Sequence, residues 1–224
     1  MTEKQTVRME IVETLLDAEE TLRALELIRV MRADGVDDPN LDLLHGIALR
    51  QQGMAEEAER LMIQSQARDP RNPDTYRELC VLYADFERVD EAIEACRKST
   101  DLDPNNAKAW NNLGYLLLMA RDDSKAAKEA LQRAVEIDST VARYRNNLAF
   151  AQAAAGDHRG ALRTFMTTGT PADAHYNVGT AFERAGDEVT ALTYYRRALK
   201  MDAEHLSADE AVKRLASATH SEEK

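Results

Sequence analysis

An alanine recurs along this chain at a near-constant interval: Ala24, Ala58, Ala92, Ala127, Ala161 and Ala191. About twelve residues ahead of each stands a partner, small in most cases: Val12, Gly46, Cys80, Gly114, Ala149 and Gly179. In the later frames that partner directly follows an aliphatic residue, Leu79, Leu113, Leu148 or Val178. The pattern cuts the 224 residues into frames 5–38, 39–72, 73–106, 107–141, 142–171 and 172–205, which are 34, 34, 34, 35, 30 and 34 residues long. A period of this length marks one supersecondary unit stacked on copies of itself, because a single unit cannot bury its own apolar face.

Each frame reads as two antiparallel helices, A and B, joined by a tight turn. Gly53, Gly156 and Gly186 fall at the A-to-B turn, where a left-handed residue without a Cβ closes a helix with least strain. The small residue on helix A is expected to face the alanine on helix B and let the two backbones approach. Asp69-Pro70 and Asp103-Pro104 end helix B, since proline and its predecessor both resist helical continuation. Thr170-Pro171-Ala172-Asp173 reads as an N-cap followed by a first-turn proline and an acidic third residue. Composition agrees. Nine glycines and five prolines are too few for the turns of a β-sandwich this size, and 44% hydrophobic residues are too many for a disordered chain. No stretch approaches the ~18 apolar residues of a membrane span.

These residues resemble the tetratricopeptide repeat (TPR) family. Frame four carries Trp110-Asn-Asn-Leu113-Gly114 with Ala127 and Ala134, close to the family's W-x2-L-G and its downstream alanines. Frame three has Tyr76, Leu79, Tyr83, Ala92 and Pro104, and frame six has Val178-Gly179, Phe182, Gly186, Ala191, Tyr195 and Ala198. The resemblance covers residues 5–205 and implies an all-α, right-handed solenoid of about six stacked hairpins, a single domain over 1–220. Frame one, with Ile11, Val12, Leu15 and Ala24, is degenerate and reads as an N-terminal cap. Frame five loses four residues around Met166–Gly169 and frame four gains one near Arg121–Ser124, so the superhelix should be perturbed locally at both. After residue 205, Ser207 and Glu210 read as a capping box that opens a last helix over 206–218. Val212, Leu215 and Ala216 give that helix one apolar face to lay on the last repeat, and the residues from His220 onward read as frayed.

The net charge of −11 argues against general nucleic-acid binding, which is driven by a basic face neutralising phosphates. That charge is uneven: residues 1–106 carry −11, residues 107–171 carry +3 and residues 172–224 carry −3. The cationic middle makes an acidic segment or a C-terminus a better guest than a basic one. Cys80 and Cys96 make no disulfide framework and read as buried thiols in a reducing compartment, against the alternative of a regulatory disulfide. The charged N-terminus lacks the apolar run of a signal peptide, so the chain reads as cytoplasmic as written. Removal of a leader segment would instead make it periplasmic or anchored at the outer membrane. His45, His158, His175, His205 and His220 show no ligand spacing, and no phosphate loop, zinc motif or nucleophile constellation is present. The expectation is a non-catalytic chain that needs neither cofactor nor metal.

What the resemblance does supply is a concave groove lined by the A helices. The family's groove-facing sixth positions correspond to Asn112, Asn147 and Asn177, a ladder of amides that can hold the backbone of an extended peptide. The ninth positions, Ile47, Val81, Tyr115 and Phe150, form an apolar stripe together with Leu43, Leu118 and Met119. The fifth positions Asn111, Asn146 and Tyr176 join the set. Arg77 and Arg143, with Asn112, partly match the carboxylate clamp of some TPR co-chaperones, but Val81 and Asn147 depart from it. The function implied is a protein-interaction scaffold that binds a peptide segment of a partner. The runner-up is a TPR assembly factor of bacterial pilus or secretion machinery, a class usually carrying a lipobox cysteine that this sequence lacks. A third reading is a self-assembling homo-oligomer, its acidic N-terminal frames meeting the cationic middle.

Overall fold

The computed structural model describes residues 2–120 and 122–219. Among these residues the regular structure is thirteen α-helices and no strand. The chain divides between Pro104 and Asn105 into two compact units. The first holds α1 (Glu3–Asp17), α2 (Thr21–Ala33), α3 (Pro39–Gln51), α4 (Ala55–Arg68), α5 (Pro73–Asp85) and α6 (Val89–Leu102). The second holds α7 (Ala107–Ala120), α8 (Ser124–Ile137), α9 (Ala142–Ala154), α10 (His158–Phe165), α11 (Pro171–Arg184), α12 (Glu188–Met201) and α13 (Leu206–Thr219). Within each unit successive odd and even helices pair as hairpins, and α3, α5, α9 and α11 also lie on the hairpin before them. In the first unit α3 packs on α1 and α2, and α5 on α3 and α4. In the second, α9 packs on α7 and α8, α11 on α9 and α10, and α13 on α12. This is the all-α helical-hairpin architecture that the period implies.

Local chemistry sets the helix ends. Pro39, Pro73 and Pro171 open α3, α5 and α11, and the side chains of Asp38, Asn72 and Thr170 accept from free backbone N–H groups of the first turn. Helices α4 and α6 stop one residue before Asp69-Pro70 and Asp103-Pro104. Gly53, Gly156 and Gly186 adopt φ of +76°, +84° and +79° at the A-to-B turns. The matching turn positions of the other hairpins are Glu19, Glu87 and Asp122, at +58°, +58° and +52°. The turn is common to all six hairpins, although three of them place a side chain where the left-handed backbone crowds its Cβ.

All six recurring alanines are fully buried. A Cβ built on Gly46 would sit 3.1 Å from the Ala58 carbonyl oxygen and 2.9 Å from Met62 Cγ. On Gly114 it would meet Leu131 Cγ at 2.5 Å, and on Gly179 the Tyr195 ring at 2.7 Å. The small residue therefore faces the alanine's carbonyl and, more tightly, the side chain four residues beyond that alanine. The same offset pairs Val12 with Ile28 and Ala149 with Phe165; all four are buried, and each pair shares one core cluster. The second, fourth and sixth hairpins thus carry a hole on helix A and a knob on helix B.

The third hairpin fills this position differently. Cys80 and Cys96 form a disulfide across α5 and α6, with Cα atoms 5.1 Å apart. This corrects the expectation of two buried thiols. Sixteen residues apart in sequence, they stand opposite each other at the closest approach of the two helices, well within the span a disulfide bridges.

One further expectation changes. Helix α13 is capped by His205, whose Nδ1 accepts from the Ala208 N–H at 3.2 Å; Ser207 lies inside the first turn, so its capping box is not formed. The helix still buries Ala211 and Leu215 against Ala191 and Tyr195. In frame five, α10 ends at Phe165 after eight residues, and the chain returns through Thr167–Gly169. Helix α1 leaves Val7 and Ile11 exposed. Arg121, at the inserted position of frame four, and the residues from His220 onward lie outside the described residues.

Candidate functional site

The inner-face positions behave differently in the two units. In the first, Leu43 is only 2% exposed and belongs to the core, which corrects its placement on a groove lining. Ile47 is half-buried against the N-terminal core, and Val81 is likewise half-buried. Arg77 reaches Asp74 through Nε and Nη2 at 3.1 and 3.0 Å, and its Nη1 lies 2.7 Å from Glu78. Arg50 spans Glu78 at 3.5 Å and Asp85 at 3.0 Å. The cations of this face are thereby consumed by the chain's own carboxylates, and Arg77 is not free to clamp a ligand. Deeper in the unit the fully buried Asp42 is gripped by Arg32 and, at 2.7 Å, by Arg68, a strut tying α2, α3 and α4 together.

The second unit leaves more of its inner face open. Tyr115 is 48% and Met119 44% exposed on α7. Phe150 on α9 is half-buried and meets Phe165 edge-on, with ring centroids 5.0 Å apart. Of the asparagine ladder, Asn147 donates from Nδ2 to Asn111 Oδ1 at 2.9 Å. Asn111 itself is buried, so its role is to tie α9 to α7 rather than to face a ligand. Asn146 accepts from Thr168 Oγ1 at 2.5 Å, a bond made possible because α10 stops early and brings the Thr167–Gly169 turn beside α9. Among the described residues, the half-buried amides of Asn112 and Asn177 make no hydrogen bond. The ladder therefore has two free rungs and a third, Asn147, already holding one partner. Tyr176 lies 5.4 Å from the Tyr195 ring and 5.2 Å from His205, inside the aromatic packing of α11, α12 and α13. Arg143 is exposed, with its guanidinium 5.9 Å from the ring of Tyr144.

An open cavity of about 550 Å³ sits on this face, lined by Leu118, Met119, Phe150 and Ala154 together with Asp122, Ala181, Arg184 and Ala185. Its size falls in the range of ligand-binding clefts. Three sequence-derived positions meet here: Leu118, Met119 and Phe150. Ala154 and Arg184 were missed, although they occupy the same thirteenth helical position as Met119 in the next two frames. A second cavity, of about 590 Å³, lies on α5 and α6 beside Tyr76, Tyr83, Glu94 and Arg97 and contains none of the expected residues. No group of His, Cys, Asp or Glu among the described residues is arranged to hold a metal ion. No described helix is long and apolar enough to cross a membrane.

Stacked hairpins whose A helices present an open face define a helical-repeat interaction scaffold. The chain is a tetratricopeptide repeat protein: models of the tetratricopeptide repeat match residues 43–107, 95–129 and 172–205. A comparison with curated proteins returned no match. Among solved structures, MamA is similar with a TM-score of 0.58 and 28% identity, over 72% of this chain and 96% of that one. Pseudomonas aeruginosa pilF is similar with a TM-score of 0.69 and 16% identity, over 93% and 96%. YrrB, described as a TPR protein with an unusual peptide-binding site, has a TM-score of 0.65 and 22% identity over 83% and 96%. The last two likenesses concern the fold alone.

Proposed function

We propose that this protein is a non-catalytic scaffold whose second unit binds an extended segment of a partner protein along α7, α9 and α11. The observation that carries the reading is that one unit offers the amides of Asn112 and Asn177, which make no hydrogen bond among the described residues, the exposed Tyr115 and Met119, and an open cavity lined by Met119 and Phe150. An amide offers both a donor and an acceptor to a peptide backbone, so it grips main chain irrespective of sequence. Aromatic and thioether side chains supply contact area at small entropic cost. Selection of a displayed library of linear peptides on the full chain tests this. Binders should be recovered by the wild type and lost by Tyr115→Glu and by Asn112→Ala/Asn177→Ala, with helicity unchanged. Binders that survive both variants would move the site off this face.

A second reading, an assembly factor of the bacterial cell envelope, is favoured by one observation, the Cys80–Cys96 disulfide. Such bridges persist in oxidising compartments and are rare where thiols are kept reduced. Alkylation of the native protein in intact cells separates the two settings. Blocked cysteines support the envelope, and two reactive thiols support the cytoplasm.

A further inference from the structure

Among the described residues, Arg184 is the one basic residue lining the α7/α9/α11 cavity, and it has no anionic partner. Its guanidinium carbon stands 5.3 Å from the centre of the Phe150 ring, within cation–π distance. Its Nη1 approaches only the Met119 thioether, at 3.8 Å, which is a weak acceptor. No described carboxylate pairs with it. Glu183, its neighbour in sequence, is held instead by Arg214 and by the Tyr195 hydroxyl at 2.6 Å. Asp122 lines the same cavity but makes no ion pair with Arg184. The contrast with the first unit is sharp, because there Arg50 and Arg77 are both occupied by carboxylates.

A guanidinium lying against an aromatic ring keeps its N–H edge free, and that edge matches a carboxylate in a two-bond fork. The floor beneath it is apolar: Leu118, Met119, Phe150, Ala154, Ala181 and Ala185. We propose that the cavity selects a peptide in which an apolar side chain fills this floor and an adjacent carboxylate, from Asp, Glu or a chain terminus, is read by Arg184. The inference rests on the proposed peptide-binding function of this face and adds its specificity. Arg184 is the residue that sets it, and an acidic-apolar segment is the ligand class.

The test uses the same displayed peptide library on the full chain, followed by synthetic copies of selected peptides. Each peptide is compared with a counterpart carrying Asn or Gln in place of the acid, or an amidated terminus. The charged form should bind at least about tenfold more tightly, the worth of one charge-assisted hydrogen-bond pair. In Arg184→Met, which keeps an aliphatic stem over Phe150, that preference should vanish while the apolar contribution remains. Arg184→Lys should keep part of it. Selected peptides with no enrichment in acids would overturn the inference and leave the groove reading standing. So would an acid preference that persists undiminished in Arg184→Met, or enrichment in basic residues, which would put Asp122 in control. Failure of the wild type to select any peptide would overturn both readings together.

Discussion

Gly114 shows how much one hydrogen atom can decide. Its absent Cβ is replaced by Leu131, and the Ala127 carbonyl lies 3.1 Å from where that Cβ would be. Gly114→Ala should destabilise the protein by about 1–3 kcal/mol despite the better helix propensity of alanine, because the clash falls on a branched carbon and on backbone. Chemical denaturation of Gly114→Ala, Leu131→Ala and the double variant checks this. The double should lose less than the sum of the singles, since each change makes room for the other. Glu87 presents the opposite case, a side chain where the turn wants none. Its φ of +58° predicts that Glu87→Gly stabilises the third hairpin by about 1 kcal/mol, read as a raised denaturation midpoint. His175 supplies the pH dependence. Burial first, and then the nearby Arg197 charge, hold its imidazole below the ordinary value of 6.5. The unfolded chain therefore takes up a proton more readily than the folded one, and stability falls as pH drops below 6.5. His45 acts in the same direction, through burial and Arg32. Paired carboxylates such as Glu183 contribute only below about 4.5, so a melting series between these limits isolates the histidines. His175→Phe should make that series shallower, the remaining slope belonging to His45.

At the scale of the helix and hairpin, most of the architecture is legible in the sequence. Alanine spacing located the hairpins, proline marked where helices start or stop, and glycine marked three of the turns. Glu19, Glu87 and Asp122 hid the other three, because nothing in a glutamate announces a left-handed backbone and an aspartate does so only weakly. The disulfide was hidden for a related reason. Cys80 and Cys96 looked like small core residues in a sequence that has no other cysteines, and only the facing of α5 and α6 shows that they meet. The same geometry explains the site. Helical register places Leu118, Met119 and Phe150 on one face, where they line one cavity, and it contains Arg184 as well. It could not tell that Leu43 turns into the core or that Asn111 is spent on Asn147, since those depend on how far each helix is rotated against its neighbour. The disulfide also gives the element-scale prediction. Closing a loop of this length contributes about 3 kcal/mol by restricting the unfolded chain. Addition of reductant, or Cys96→Ala, should lower the denaturation midpoint accordingly, and mass spectrometry of alkylated protein should find no free thiol before reduction.

Across the whole chain, the two units differ in what their inner faces have left to offer. The first spends its cations internally through Arg50, Arg77 and their carboxylates. The second keeps Arg184, two amides and two large side chains uncommitted. Arg77→Ala should accordingly leave peptide affinity within about twofold of wild type, because its carboxylate partners Asp74 and Glu78 belong to the first unit's own face. Tyr115→Glu should abolish it. Fluorescence anisotropy with one selected peptide distinguishes these outcomes, and equal loss in both variants would spread the site over both units.

The matched pairs inside the hairpins also bear on how such a chain can grow. Met62 is answered by Gly46, Leu131 by Gly114 and Tyr195 by Gly179, each within its own hairpin. A gene duplication with breakpoints between hairpins copies every pair whole. A crossover inside an A-to-B turn would instead set Gly114 against Met62 or Tyr195 and leave a gap or a collision in its place. The heritable module of this protein is therefore the hairpin, and the ancestry of its helices should be traceable only two at a time.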